Sequence, residues 1–393
     1  VSLVATPPLW GEVTPAVDSV DLPDRAEVLI VGAGLAGCAT ALLLAEAGWA
    51  PVVVEARGAP GAGISSRDTG LCMPVMNDTP HRLIAALGVE SAIEVVRFAQ
   101  QSLGLSRDQG LLDPSGVLMA AGIPQEVEQH QVDVEAIEKL GISHETWSPE
   151  EVAKRTDTAA FGPGIWVPEG GRIARDACRQ LAARAQAAGA RFVLDTQVTD
   201  LGGQGADPVV QTAHGAVAAD VVILAAGAGI AQIEPWFEDK SYPVRTQLLA
   251  TPPLDSPLPF PVRTQLGHAQ LIPGPEKRMV ASGCRWATAH LEAGEADDTV
   301  VSPAVHAKLS ELVSRHRPDG AAPTHQWTAI MNFTCDGLPL LGPIPGRSRV
   351  ISCAGFAGHQ ATLALGAARA VADGLLGEST IEVPELFELA RFV

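Results

Sequence analysis

The chain has 393 residues and a formal charge of −18, with 27 Lys+Arg set against 45 Asp+Glu. Its 47% apolar and 18% charged content describes a globular protein of two or three domains, or two that interleave. Disorder as the dominant state is excluded, because it needs low hydrophobicity with high charge, and a nucleic-acid partner is disfavoured, because phosphate binding needs a basic surface.

The stretch before residue 25 contains several prolines and reads as an N-terminal arm, 1–24. The sequence then predicts a strand over 27–31, a glycine turn, a helix over 35–47 and a strand over 52–55. That is one β-α-β unit of about 30 residues. Val28 to Ala45 carries no charge and approaches the length of a membrane span. A β-branched run followed by three glycines fits strand, turn and helix better than one apolar helix, so no membrane span is expected.

Residues 80–160 read as mostly helical. One helix opens at Pro80. Another opens at Ser148, an N-cap followed by Pro149 at the first helical position and Glu151 in capping-box position. Glu126, Glu128 and His130 read as a solvated face rather than a metal site. Further on, the pattern predicts a helix over 172–188, a strand over 191–194 and a hairpin around His214-Gly215. A buried strand over 221–227 and short antiparallel strands over 243–290 follow. The chain closes with a helix over 303–315, an element at 327–335, a strand over 350–353 and a last helix over 363–376.

The six cysteines form no C-x-x-C pair, which fits neither a zinc ribbon nor a disulfide framework. Scattered thiols suggest a reducing cytosol, and the first ten residues lack the basic-then-apolar pattern of a secretory signal. A cytoplasmic location is therefore expected, and no metal is.

Gly32-Ala33-Gly34-Leu35-Ala36-Gly37 is a G-x-G-x-x-G that directly follows a predicted strand and opens a predicted helix. The first glycine permits the tight turn, the second lets backbone approach a pyrophosphate, and the third lets helix and strand pack closely. Backbone N–H groups at the helix start then face the phosphates. Glu55, about 20 positions on, is placed to accept hydrogen bonds from ribose hydroxyls, and its charge repels a 2′-phosphate.

The next residues, Glu55-Ala56-Arg57 and Gly61-Ala62-Gly63-Ile64-Ser65-Ser66-Arg67-Asp68-Thr69-Gly70, resemble the D-amino-acid oxidase, glycine oxidase and sarcosine oxidase family of FAD enzymes. The resemblance continues at 189–198, at 221–227, at 243–247, at 336–343 and at Ala354-Gly355-Phe356-Ala357-Gly358-His359. Within the family the tone is closest to γ-glutamylputrescine oxidoreductase-like amine oxidases, through the Trp/Pro-containing arm and Phe333-Thr334-Cys335-Asp336-Gly337-Leu338-Pro339.

This resemblance implies an α/β fold. A Rossmann-type FAD-binding domain (25–80, 165–235 and 335–380) interleaves with a substrate domain built on an antiparallel sheet plus helices (81–164 and 236–334). It implies non-covalent FAD held by Gly32 to Gly37, Glu55, Ala56, Arg57, Ser65, Ser66, Arg67, Val198, Ala226, Gly227, Gly355, Phe356, Gly358, His359 and Gln360. Arg67, in the glycine-serine stretch that lies along the flavin, and His359 are the flavin-adjacent catalytic candidates, and no side-chain base is assigned. Covalent attachment is not expected, because Arg67 and the neighbourhood of Ile330 stand where relatives carry the attaching histidine or cysteine.

For the substrate, a small-molecule amine or amino acid, the residues singled out are Tyr242, Arg245, Arg285, Trp327 and Met331. The family's amino-acid oxidases hold the substrate carboxylate with an arginine whose place falls on Met331, which points to an amine. Arg245 or Arg285 remain alternative sources of that charge. Trp166, Trp286 and Trp327 are candidates for a cation-binding cage, with plain core packing as the competing reading.

The implied reaction is oxidation of a C–N bond by hydride transfer to flavin, with O2 or another acceptor taking the electrons. Poor reaction with O2 is expected, because the stretch 267–273 lacks the lysine that sarcosine oxidases place over the flavin. The alternatives are an amino-acid oxidase or dehydrogenase, a natural-product tailoring oxidase on the same fold, or a non-catalytic flavoprotein subunit of a larger complex.

Overall fold

The computed structural model describes residues 3–76, 79–202, 208–320 and 322–393. The remaining positions of the predicted arm and domains, 1–2, 77–78, 203–207 and 321, lie outside the described residues. The chain divides into two units.

The first unit comprises Val13–Ser66, Ala174–Val244 and Met331–Val393. Its centre is a parallel layer in the order Arg191–Val193, Val52–Val54, Arg25–Val31, Gly215–Leu224 and Arg347–Ala354. Val28, Leu29, Ile30 and Val31 are all buried. That is the continuous apolar run of a parallel strand covered on both faces, and it explains why this segment mimicked a membrane span. No helix among the described residues is long and apolar enough to cross a membrane.

Gly215–Leu224 does two jobs. Its first half pairs antiparallel with Val209–Thr212 across the turn at Ala213-His214, and its second half pairs parallel with Arg25–Val31. The second strand of the predicted hairpin and the predicted buried strand are thus one strand. The helix Leu35–Glu46 packs against Ala177–Ala187 and Gln360–Leu376.

The second unit comprises Arg67–Ile173, Arg245–Ile330 and the described residues up to Glu12. Its main sheet runs in the order His325–Thr334, Ser241–Ala250, Met279–Gly283, Ala269–Pro273, Val262–Thr264, Val117–Ala120, Gly164–Val167 and Glu145–Trp147. Most registered pairs are antiparallel, the exception being Val262–Thr264 with Val117–Ala120. Helices Pro80–Leu87, Val89–Asp108, Pro124–Lys139, Pro149–Thr156 and Pro303–His316 complete it.

Several expectations change. The segment 165–173 does not join the nucleotide-binding unit, because Gly164–Val167 and Gly171–Ile173 pair with Val117–Ala120, Leu71–Cys72 and Leu112–Asp113. The helix predicted from Arg172 begins only at Ala177, since Arg172 is spent on that ladder. The stretch 67–76 also belongs to the second unit, and 236–244 to the first. The arm is not one piece: Leu3–Val4 pairs with Val300–Val301 in the second unit, whereas Ser19 bridges to Phe192 in the first. Ser148 Oγ accepts the Glu151 N–H at 3.3 Å, but Glu151 turns to Arg155, so the capping box is half made. Glu126 is not a solvated residue. Its carboxylate accepts the N–H groups of Gly122 (2.8 Å), Ile123 (3.2 Å) and Leu266 (2.6 Å), tying a helix start to the turn before Ala269–Pro273.

The helix Pro303–His316 buries two histidines, His306 and His316, whose ring nitrogens have no hydrogen-bond partner among the described residues. Burial lowers both to about 4, and Arg315 and Arg317 add to the effect at His316. An unfolded histidine titrates near 6.5. Between those values the unfolded chain binds protons that the folded chain refuses, so this contribution destabilises the fold as pH falls from about 6.5 to 4. The slope is about 1.4 kcal/mol per pH unit for each histidine. The double variant His306→Leu/His316→Leu is therefore expected to lose less melting temperature than the parent between pH 7 and pH 4.5. An unchanged loss would contradict the assignment.

Candidate functional site

In the first unit the glycine motif is built as its spacing demands. Gly32 has φ +101°, and a Cβ there would lie 2.6 Å from the Ala225 carbonyl oxygen. A Cβ on Gly37 would lie 1.9 Å from the Gly32 carbonyl oxygen, so only glycine lets the helix sit this close to the turn. At Gly34 the one atom within 4 Å of a Cβ position is Ser65 Oγ, at 3.2 Å. The space over the helix start therefore stays open and is bounded by a hydroxyl. Leu35 N donates to that same Ser65 Oγ at 3.2 Å.

The glycine-serine stretch is clasped onto this turn. Gly61 N donates to Ala33 O (2.8 Å), Ser66 Oγ donates to Gly61 O (2.6 Å), and Arg57 Nη1 donates to Ala62 O (3.1 Å). Glu55 accepts Ala33 N at 2.7 Å and Arg57 N at 2.9 Å, one on each carboxylate oxygen. Burial raises its pKa, and those N–H bonds oppose the rise. Each oxygen keeps lone-pair capacity for a further donor.

Beside Glu55 lies a cavity of about 130 Å³, lined by Gly32, Ala56, Val198 and Ala226 among the predicted residues. Gln197, Gly229 and Gln232 line it as well and were missed by the sequence reading. The signal for Gly229 was the Gly227-Ala228-Gly229 run. Gly227, at φ +55°, starts that short helical turn beyond the buried strand.

At the same carboxyl edge of this parallel layer, beyond Arg347–Ala354, Gly355 has φ +75°, and a Cβ would meet Thr334 and Leu340 at 2.7 and 2.8 Å. Ala357 N donates to Asn332 O at 2.9 Å, which pins the turn carrying Phe356, Gly358 and His359. His359 holds the N-cap position of Gln360–Leu376 without a side-chain capping bond. The imidazole therefore does not serve as the helix cap. Tyr242 is 39% exposed and lies 6.3 Å from the Phe333 ring, so it is not a core residue. Met331 is buried.

These features fit a dinucleotide cofactor of the FAD type. The motif leaves a cradle that a side chain would fill, it presents helix N–H groups, and it holds the Glu55 carboxylate against the turn.

In the second unit, Arg67 is not a surface arginine. Its Nε donates to Thr328 O at 3.0 Å, and the guanidinium also meets Glu12 and Asp298. Arg245 is committed to Glu292 at 2.7 Å, with both side chains buried and Glu295 at 3.5 Å. Arg245, named as one alternative source of charge for a substrate carboxylate, is thus already paired within this unit. Arg285 braces its own turn through Leu291 O at 3.3 Å. Trp327 is fully buried, donates to Arg67 O at 2.7 Å and packs edge-on to Trp10 at 5.0 Å. Trp166 stacks on Trp147 at 5.0 Å, whereas Trp286 is 46% exposed near Lys308. The three tryptophans thus sit in three environments and form no cage.

The sequence reading also passed over Asp68. Burial raises this carboxyl to about 6, against pull from the Thr69 N–H and hydroxyl. Thr69 Oγ1 in turn lies 2.6 Å from Gln270 Oε1. The available signal was a lone carboxylate inside the glycine-serine stretch.

Comparison with known proteins places this geometry. Residues 27–374 match the FAD dependent oxidoreductase family. Among curated proteins, the tRNA 5-methylaminomethyl-2-thiouridine biosynthesis bifunctional protein MnmC of Burkholderia pseudomallei is 28% identical over 344 residues, covering 82% of this chain and 48% of that protein. The chain spans about half the length of the curated relatives it matches. Among solved structures, glycine oxidase from Geobacillus kaustophilus superposes with a TM-score of 0.77 at 23% identity, covering 94% of this chain and all of that one (100%). L-proline dehydrogenase from P. horikoshii gives 0.78 at 21% identity, covering 94% and 98%. At these identities the structural likeness is one of fold.

Proposed function

The chain belongs to the FAD dependent oxidoreductase family, and on that premise we propose that it oxidises the C–N bond of a small amine to an imine. The observation carrying the choice of an amine is the state of the arginines. Met331 stands at the family's clamp position, and Arg245 is neutralised by Glu292. FAD, when bound, supplies the chemistry by accepting a hydride from the carbon that bears the nitrogen.

The chain's own part is binding, orientation and polarity. Gly32, Gly34 and Gly37 with the start of Leu35–Glu46 hold the pyrophosphate. Glu55 orients the ribose, and the cavity at Val198 and Ala226 takes the adenine end. The turn Gly355–His359 with Gln360 brings backbone N–H groups and a helix start to the flavin's pyrimidine end, where such dipoles favour negative charge. FAD is held without a covalent bond, so acid precipitation is expected to leave a yellow supernatant over a colourless pellet. A yellow pellet would contradict this.

O2 or a separate acceptor completes the cycle, and the six free thiols support a cytoplasmic setting. The curated relatives are named for tRNA biosynthesis. A charge of −18 opposes phosphate binding, so a small-molecule substrate is favoured over tRNA. Anaerobic bleaching of the flavin band, screened across amines and amino acids, tests the reading. Bleaching by an amine supports it. No bleaching by any amine, with a stable partner on co-purification, would favour an electron-relay subunit.

A further inference from the structure

We propose that Gln232 selects FAD by its base, pairing its side-chain amide with the N6 and N7 atoms of the adenine. The proposal rests on the reading above that the cavity beside Glu55 takes the adenine end. It does not depend on which substrate is oxidised.

Three observations carry it, all within the first unit. First, the cavity has room for a ring system. Its volume of about 130 Å³ is roughly ten times what one water needs. Val31, Val54, Val198 and Ile233 line it and are all buried. Such walls hold a ring by apolar contact and leave its polar edge unread, so orientation and specificity fall to the few polar groups of the lining.

Second, those polar side chains are four, Glu55, Thr196, Gln197 and Gln232, and two are already engaged. Glu55 accepts the Ala33 and Arg57 N–H groups and stands at the ribose. Thr196 Oγ1 donates to Leu194 O at 3.0 Å. The side-chain amides of Gln197 and Gln232 have no hydrogen-bond partner among the described residues.

Third, the two amides come from different walls. Thr196 N donates to Glu55 O at 2.8 Å and Gln197 O accepts Ala213 N at 3.2 Å, which fixes Gln197 on the side of Glu55 and the ribose. Gln232 comes from the helical turn Ile230–Ile233, which follows Ala226 and Gly229 beyond the buried strand Gly215–Leu224. Ile230 and Ile233 are buried and Gln232 is exposed, so this turn packs its isoleucines inward and sets Gln232 at the rim of the cavity.

Adenine carries an N–H donor at N6 beside an acceptor at N7. A carboxamide carries the complementary pair. Its C=O accepts the N6 proton while its NH2 donates to N7, the pairing by which Gln and Asn read adenine in nucleic acids. A 6-oxopurine puts two acceptors, O6 and N7, on that edge. The C=O of the carboxamide then faces an acceptor whichever way the amide turns.

The test uses the full chain freed of flavin and titrated with FAD or with flavin hypoxanthine dinucleotide, in which oxo replaces the 6-amino group. Flavin fluorescence reads the Kd. The parent is expected to bind FAD at least about tenfold tighter than the analogue. Gln232→Leu and Gln232→Ala are each expected to weaken FAD about tenfold and to leave the analogue within about twofold, so that the selectivity vanishes. Both change an exposed residue, so the flavin-free variants should melt with the parent. Gln197→Leu, on the ribose side, should weaken both dinucleotides by the same factor and keep the selectivity.

Gly229→Phe locates the base. Gly229 has φ −82°, and a Cβ there would meet nothing within 4 Å, so a ring can be added at this cavity wall without backbone strain. It is expected to weaken FAD and the analogue alike, by about tenfold or more. Equal binding of both dinucleotides by the parent, selectivity that survives both Gln232 variants, or selectivity lost in Gln197→Leu instead overturns the role of Gln232 and leaves the adenine in the cavity. FAD affinity unchanged in Gly229→Phe removes the adenine from the cavity, and the proposal falls with that placement.

Discussion

Gly37→Ala is expected to yield a colourless protein with a sharply lowered melting temperature. The added methyl would stand 1.9 Å from the Gly32 carbonyl oxygen and 3.0 Å from its carbon, and both atoms are backbone. No side-chain rotation relieves that contact, so the helix start must move off the turn. The same turn supplies Ala33 N to Glu55 and Ala33 O to Gly61, so the displacement unclasps the glycine-serine stretch as well. Loss of this packing belongs with the large mutational effects, on the order of 4 kcal/mol or more. Gly34→Ala makes a graded comparison. Its methyl meets only the Ser65 hydroxyl, at 3.2 Å, which can turn away. The fold should survive while flavin retention drops, because the methyl fills the phosphate cradle. Gly63→Ala meets nothing within 4 Å and has ordinary φ, so it should stay yellow. Thermal melts and the flavin absorbance of the purified proteins check the series. A yellow Gly37→Ala that melts like the parent would break the argument.

The contrast between these glycines and the arginines shows what the sequence could carry. Gly32, Gly37 and Glu55 were legible because their geometry is set within a single β-α-β unit. Once a strand, a tight turn and a helix follow one another, spacing alone fixes which backbone atoms collide and where an acid returns. Arg245 was not legible in this way. Its partner Glu292 is 47 residues distant, on a turn where Glu292 itself has φ +63°, and no local pattern announces that pairing. Arg172 misled for a related reason. Its neighbours favour helix, yet Gly171–Ile173 is recruited by strands at Leu71–Cys72 and Leu112–Asp113, and long-range pairing outweighs local propensity. The tryptophans show the limit of composition. Bulk marked them as important, but only packing shows that Trp327 is held between Trp10 and the Arg67 carbonyl.

An amine is expected to reduce the flavin at least about tenfold faster than the α-amino acid that bears the same side chain. A guanidinium binds a carboxylate through two parallel charge-assisted hydrogen bonds, and methionine at position 331 offers none. Arg245 is a poor substitute. Drawing it onto a substrate would leave Glu292, which is 4% exposed, with Gln247 Nε2 at 2.6 Å as its remaining side-chain donor among the described residues. Breaking a buried pair of this kind costs about 3–5 kcal/mol, which exceeds what a tenfold rate preference requires, about 1.4 kcal/mol. The same figure predicts the variant. Arg245→Met should lose stability on that scale through the stranded Glu292 and leave the ratio of amine to amino-acid reduction rates unchanged, since the ratio is taken within one preparation. Arg285 donates to Leu291 O at 3.3 Å in a half-exposed turn and, unlike Arg245, is not buried. It therefore decides the matter. If the amino acid proves the faster reductant and Arg285→Ala abolishes that advantage, the carboxylate clamp has moved to Arg285 and the substrate is an amino acid. If the amine is faster in the parent, in Arg245→Met and in Arg285→Ala alike, neither arginine reads a carboxylate and the amine assignment stands.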